Sequence, residues 1–120
     1  MSLSSYKDLI VWQKSLDLVV AVYGLTKDFP REEQFGLTSQ MRRCAVSIPS
    51  NIAEGSKRGT KKDYRHFLFT AYGSGAELET QLIISKKLGF GNDAKSLIVV
   101  DLLDEIMRML NKMTQELDKS

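Results

Sequence analysis

The sequence predicts an all-α fold: an up-down-up-down, antiparallel, left-handed four-helix bundle whose second helix is kinked at Pro49. Three observations carry this expectation. Four stretches of helical periodicity follow one another along 120 residues. The breaks between them are short, which makes chain neighbours run antiparallel. Two prolines and eight glycines leave little material for long loops. A chain of this length is one domain, 1–120, large enough for a single core without staples.

The first helix is expected over about 6–28. Leu9, Trp12, Leu16, Val19, Val20 and Tyr23 share one face of a 3.6-residue period, with Lys7, Lys14, Asp17 and Lys27 off that stripe. It should stop near Asp28-Phe29-Pro30, because proline disfavours helical geometry in the residue before it. The second, about 33–57, carries Leu37, Met41, Cys44, Ile48 and Ile52 inward and ends among Gly55 to Gly59. The third, about 61–89, starts at Thr60, three residues before Asp63, close to a capping box. Tyr64, Phe67, Leu68, Ala71, Gly75, Leu78 and Leu82 form its first apolar face, and Phe69, Tyr72, Ala76 and Ile83 a second. A helix apolar that far round is normally covered by more than its own domain.

Gly89-Phe90-Gly91 gives the glycine stop of a helix C-terminus, and Asn92 or Asp93 caps the next start. The fourth helix, about 93–118, places Val99, Leu103, Ile106, Leu110, Met113 and Leu117 at alternating steps of four and three. That is a heptad-like seam for near-parallel packing. Helices of about 20 to 28 residues are roughly 30–42 Å long at 1.5 Å per residue.

The totals exclude several classes. One cysteine, Cys44, allows no disulfide within the chain, which suits a reducing cytoplasm. The opening Met1-Ser2-Leu3-Ser4-Ser5-Tyr6 lacks the pattern of a signal peptide, and no apolar run is long enough for a membrane. A soluble, cytoplasmic protein without membrane partners is expected. The net charge of +2 hides an asymmetry: from Arg42 to His66 seven basic residues face two acids, whereas the remainder holds ten basic and thirteen acidic residues. Such asymmetry points to an anionic partner.

The stretch from Arg42 to Gly55 breaks local rules. A proline sits inside it, and from Cys44 to Ala53 no residue is charged. Interior proline removes a helical hydrogen bond at roughly 3 kcal/mol. Its polar line of Gln40, Arg43, Ser47, Asn51, Glu54 and Arg58, with Ser50 nearby, reads either as a ligand site or as a seam between helices or subunits. The seam is the favoured reading, because buried polar groups normally satisfy one another. Glu79 falls among Tyr72, Ala76 and Ile83, in an apolar sector, so a buried carboxylate there needs a partner. Arginine grips carboxylate with two hydrogen bonds, so Arg42 or Arg43 is the expected partner. Arg42, Arg43, Ser47, Ser50, Asn51, Glu54, Glu77 and Glu79 therefore form the expected assembly seam.

Several elements together resemble the four-helix-bundle proteins encoded in intervening sequences of bacterial 23S rRNA genes. They are Val11-Trp12-Gln13-Lys14, Phe35 through Gln40, the segment through Ile52-Ala53-Glu54-Gly55, His66-Phe67-Leu68, Gly73-Ser74, Glu77-Leu78-Glu79 and Leu88-Gly89-Phe90. The resemblance covers Tyr6 to Phe90, with the fourth helix alike in pattern only. It implies a homopentameric ring, in a family with no established enzymatic activity. It also implies kinship with the accessory protein of diversity-generating retroelements, a similar pentamer that binds nucleic acid and a reverse transcriptase.

The turn between helices 2 and 3 holds Lys57, Arg58, Lys61, Lys62 and Arg65, five cations in nine residues. Repeated around a ring, they would hold a phosphate backbone with salt-dependent, sequence-independent affinity. The plainer reading is a solvated turn. Catalytic devices fare worse. One histidine rules against a di-iron bundle, a metal hydrolase and a Ser-His relay. Gly73-Ser74-Gly75 lies inside a helical pattern and reads as a close approach for another helix, and no phosphate-cradling Gly-x-x-x-x-Gly-Lys is present. Cys44 sits on the apolar stripe as a core thiol. The sequence thus predicts no catalytic residues, metal or cofactor. It predicts an oligomeric scaffold with RNA or a nucleic-acid-associated protein as partner, and a protein–protein adaptor as the alternative.

Overall fold

The computed structural model describes residues 5–119. The segment read above for a signal peptide lies, up to residue 4, outside them. A short 3-10 turn, Tyr6–Asp8, precedes helix α1, Ile10–Thr26. A second, Arg31–Glu33, precedes α2, Leu37–Ser56; α3 spans Lys61–Lys87 and α4 spans Asp93–Lys119. Each helix packs on its chain neighbours and α4 returns to α1, while α1 and α3, and α2 and α4, do not meet. The helices therefore stand at the corners of a square, as in a four-helix bundle.

Local chemistry sets the ends. Leu9 is extended (φ −74°, ψ 126°), so α1 starts at Ile10 rather than near Tyr6. Its end at Thr26 leaves Asp28-Phe29-Pro30 as the exit. The second helix starts four residues later than the sequence pattern suggested, because Gly36 (φ −110°, ψ −115°) interrupts the chain. The Glu33 carboxylate then accepts from the Leu37 amide at 3.1 Å, satisfying a free N–H of the first turn. Thr60 caps α3 by accepting from the Asp63 amide at 3.1 Å, and Asn92 accepts from Lys95 at 3.0 Å to cap α4. After α3, Gly89 takes φ +77° and the Phe90 amide reaches back to the Ser85 carbonyl at 2.9 Å. This six-to-one closure is a Schellman motif, and it needs a residue free to adopt positive φ.

The core joins all four helices. On α2 the inward side chains are Met41, Cys44, Ile48 and Ile52, and on α4 Val99, Leu103, Ile106 and Leu110, as their spacing predicts. Leu68, Ala71, Leu78 and Leu82 line α3. Pro49 is buried inside an α2 that continues past it to Ser56.

Helix α1 faces the core differently from the expectation. Val11, Ser15, Leu18, Val22 and Leu25 point inward, while Leu16, Val20 and Tyr23 are exposed, Val20 at 72%. Of the expected face, Leu9, Trp12 and Val19 are half-buried against the core, and Leu16, Val20 and Tyr23 lie beyond its edge. The inward set includes Ser15, whose hydroxyl donates to the Trp12 carbonyl at 2.6 Å and so needs no other partner.

Candidate assembly and nucleic-acid surfaces

The expected polar seam divides into three parts. Its centre lies between α2 and α3. The Ser47 and Ser74 hydroxyls meet at 2.8 Å, and Asn51 Nδ2 donates to both the Ser47 carbonyl (2.8 Å) and its Oγ (2.9 Å). Neutral polar groups thus satisfy one another where two helices approach closely. Gly55 makes that approach feasible: a Cβ there would stand 2.7 Å from Phe67 Cβ and 3.3 Å from the Tyr64 carbonyl. On the far side of α3, a Cβ on Gly75 would run into the Met107 thioether of α4. Ser74 and Gly75 are therefore packing residues, whereas Gly73 is exposed with open space where a Cβ would stand.

The second part is the arginine end. Arg42 Nε donates to Thr26 Oγ1 at 2.9 Å, and its guanidinium lies 4.3 Å from the Tyr23 ring centre. The Thr26 hydroxyl in turn donates to the Val22 carbonyl at 2.8 Å, so Arg42 ties α2 to the end of α1. Arg43 is exposed and forms no ion pair among the described residues. The expected Arg–Glu79 pair does not form within the chain. Glu79 is exposed and lines a groove between α3 and α4, because the apolar sector around it is bare rather than buried. Glu54 pairs with Arg58 at 2.8 Å, one helical turn away, instead of with the helix 2 arginines. Ser50 is exposed, in a shallow groove between α1 and α2.

The third part surrounds Cys44. Burial pushes its thiol above the ordinary range, and the carboxylate of Glu77 pushes it further the same way. The buried Gln81 side chain lies alongside, its Oε1 without a hydrogen-bond partner. A protonated, buried thiol is a poor nucleophile. Among the described residues no group of three or more His, Cys, Asp or Glu side chains is placed to hold a metal ion.

The basic turn also divides. Arg58 lies 4.7 Å over the Phe67 ring besides its pair with Glu54. Arg65 donates from Nε to the Thr114 carbonyl at 3.0 Å, covers Phe69 at 4.8 Å and stands 3.8 Å from Asp118. These two arginines bind the turn to the bundle. Lys61 and Lys62, in the first turn of α3, are exposed and form no ion pair among the described residues, and Lys57 lies over the Tyr6 ring at 5.9 Å. Tyr64 is half-buried against the core, and burial raises its phenol above the ordinary range.

Two opposite sides of the square carry features that the sequence did not separate. The α1–α2 side bears Leu16, Tyr23, Phe35 and Val46, all exposed, Phe35 at 90%. They line a depression of about 560 Å³ near Arg42 and Arg43 and a smaller one of about 290 Å³ beside Pro49. The α3–α4 side has a groove of about 420 Å³ walled by the exposed Ile83, Leu97 and Val100. The surplus apolar face of α3 hinted at this second side. Phe35 gave no signal, since it lies in the turn before α2. No helix among the described residues is long and apolar enough to cross a membrane.

Comparison with known proteins fits this architecture. The crystal structure of a protein with unknown function from the S23 ribosomal protein family of Bacteroides thetaiotaomicron superposes with a TM-score of 0.81. The match covers 91% of this chain and 98% of the other at 24% identity, a likeness of fold. No curated protein matches the chain. The family model described as 23S rRNA-intervening sequence protein matches residues 7–112, from the first 3-10 turn into the last turns of α4. On that match, the chain belongs to the 23S rRNA-intervening sequence protein family.

Proposed function

We propose that this protein is a non-enzymatic scaffold that assembles with copies of itself into a closed ring and holds RNA along the basic turns between α2 and α3. The observation that carries the reading is the bare apolar surface on two opposite sides of one small bundle. Contiguous exposed apolar surface of this kind marks interaction sites. The sequence resemblance to a pentameric, nucleic-acid-binding accessory protein supports a ring of five. Lys57, Lys61 and Lys62 would meet phosphates as point charges, while Arg58 and Arg65 hold the turn that presents them. The buried, protonated thiol and the lone, exposed histidine support the non-enzymatic reading, since they form no nucleophile–base pair with one another.

Light scattering on the full chain tests the assembly, with five times the 13.6 kDa protomer mass expected. Salt-titrated binding to ribosomal RNA fragments tests the rest. Affinity should fall steeply with salt, and Lys61→Glu/Lys62→Glu should weaken binding at least tenfold at low salt. A ring that binds no RNA even at low salt would leave the second reading, a protein–protein adaptor. The internal commitment of Arg58 and Arg65 favours that alternative, since it leaves three lysines to meet a partner.

A further inference from the structure

We infer that the copies pair head to tail, the α1–α2 side of one protomer seating on the α3–α4 groove of the next, with Phe35 entering the groove and Arg43 meeting Glu79. The inference rests on the assembly reading above and names its interface. Charge selects the pairing. The depression beneath Phe35 is lined by Arg42 and Arg43 and by no acid. The groove opposite is lined by Glu79, Asp93, Asp101 and Asp104 against one cation, Lys86. Asp104 is occupied by Arg108 at 2.7 Å, whereas Glu79 and Asp101 form no ion pair among the described residues. Each surface is thus unlike itself and complementary to the other, so a two-fold contact of either side with its own copy would set like charges together.

Height along the bundle agrees. Arg43 lies six residues into α2, about 9 Å below the end where that helix starts, and Glu79 lies about 12 Å below the same end, where α3 finishes. Phe35, just before α2, stands level with the mouth of the groove near Lys86 and Leu97. Two protomers in the same orientation, side by side, therefore bring the features into register, which is the arrangement that cyclic symmetry requires. The protomer is 46 Å long and 21–24 Å across, so one side can supply the ~800 Å² per partner of a standard interface. Burying an exposed phenylalanine in an apolar pocket rimmed by opposite charge has the form of an interface hot spot.

Mixing half-blocked chains tests the pairing. Phe35→Glu blocks one side and Val100→Glu the other; both residues are exposed, so each variant should keep its helical circular dichroism and cooperative melting. Each alone should have the mass of a protomer, and an equimolar mixture should form a one-to-one dimer, because one intact side remains on each chain. In full chains, Arg43→Glu and Glu79→Arg should each weaken association at least tenfold, with the double variant recovering most of the loss. An assembled wild type whose variants keep full mass, or whose mixture stays monomeric, overturns the interface alone. A wild type that is monomeric at tens of micromolar overturns the assembly reading with it.

Discussion

Helix α2 has two neighbourhoods that reverse the usual relation between polarity and burial. Toward α3, inside the chain, it presents Ser47, Asn51 and Gly55, and the polar groups close on one another. Toward the α1–α2 side, where nothing in the chain covers it, it presents Val46 beside Tyr23 and Phe35. Ser47 and Asn51 close on one another where the protomer is already complete, and Val46 stands where it is not, with Ser50 the small polar residue left on that flank. The seam is built for close approach within one chain, with specificity from matched hydroxyls. The flank offers burial that only another surface can collect, about 1.5–3 kcal/mol for a side chain such as Phe35. Polarity in this helix therefore reports which contacts are internal more than which residues are wet.

The strongest way to break that contrast is to fill the seam. Gly55→Ala gains about 1 kcal/mol of helix propensity. It also places a methyl group 2.7 Å from Phe67 Cβ and 3.3 Å from a backbone carbonyl, neither of which is a flexible chain end. Overpacking at about 1–3 kcal/mol should win. A net loss of up to about 2 kcal/mol is expected, read as a fall in Tm of about 4 °C for each kcal/mol. Gly75→Ala meets the Met107 thioether, the movable end of an adaptable side chain, and should cost at least 1 kcal/mol less. Equal melting of the two variants would show that the α2–α3 contact is no closer than its surroundings.

Smaller effects test the polar matching. Ser47→Ala strands the Ser74 hydroxyl and removes one of two acceptors from Asn51, at about 1 kcal/mol. Ser47→Ala/Ser74→Ala removes both hydroxyls and should cost less than the two single losses combined. Strict additivity in chemical denaturation would mean that the hydroxyl pair contributes nothing to the seam.

The same reversal explains what was legible in the sequence. Where a helix has one apolar face and one polar face, spacing sufficed: Met41, Cys44, Ile48 and Ile52 on α2, and Val99 to Leu110 on α4, are inside as read. The four-helix architecture followed from those stripes and the short breaks. Helix α1 has apolar residues on both its core and flank faces, so a stripe through Leu16 and Tyr23 satisfies the helical period as well as the inward Leu18 and Val22 do. The steps of four and three through Val11, Ser15, Leu18, Val22 and Leu25 carried the correct signal, masked by a serine in the row. Glu79 was misplaced for the same reason. Of its apolar neighbours Ile83 lines a groove and Tyr72 packs on the core, and a lone helix pattern does not distinguish an own-chain core from a flank awaiting a partner.

The mildest test concerns the thiol at the edge of the seam. Cys44 lies on the inward stripe of α2, and burial, reinforced by the Glu77 carboxylate of α3, raises its thiol above the ordinary value of 9.0. A raised value means that the folded state favours the protonated form. The stability linked to this group is intact below the unfolded value and is lost as pH rises through the folded one. Tyr64 acts with the same sign, but its loss begins only from its ordinary value of 10.0. Between about pH 9 and 10 the decline should therefore belong mainly to Cys44. Urea midpoints should fall across that window in the wild type and flatten in Cys44→Ala, which loses some packing at every pH but carries no proton to release. An equal slope in both proteins would show that α2 and α3 leave Cys44 solvated, and would move the boundary between closed seam and open flank one residue row inward.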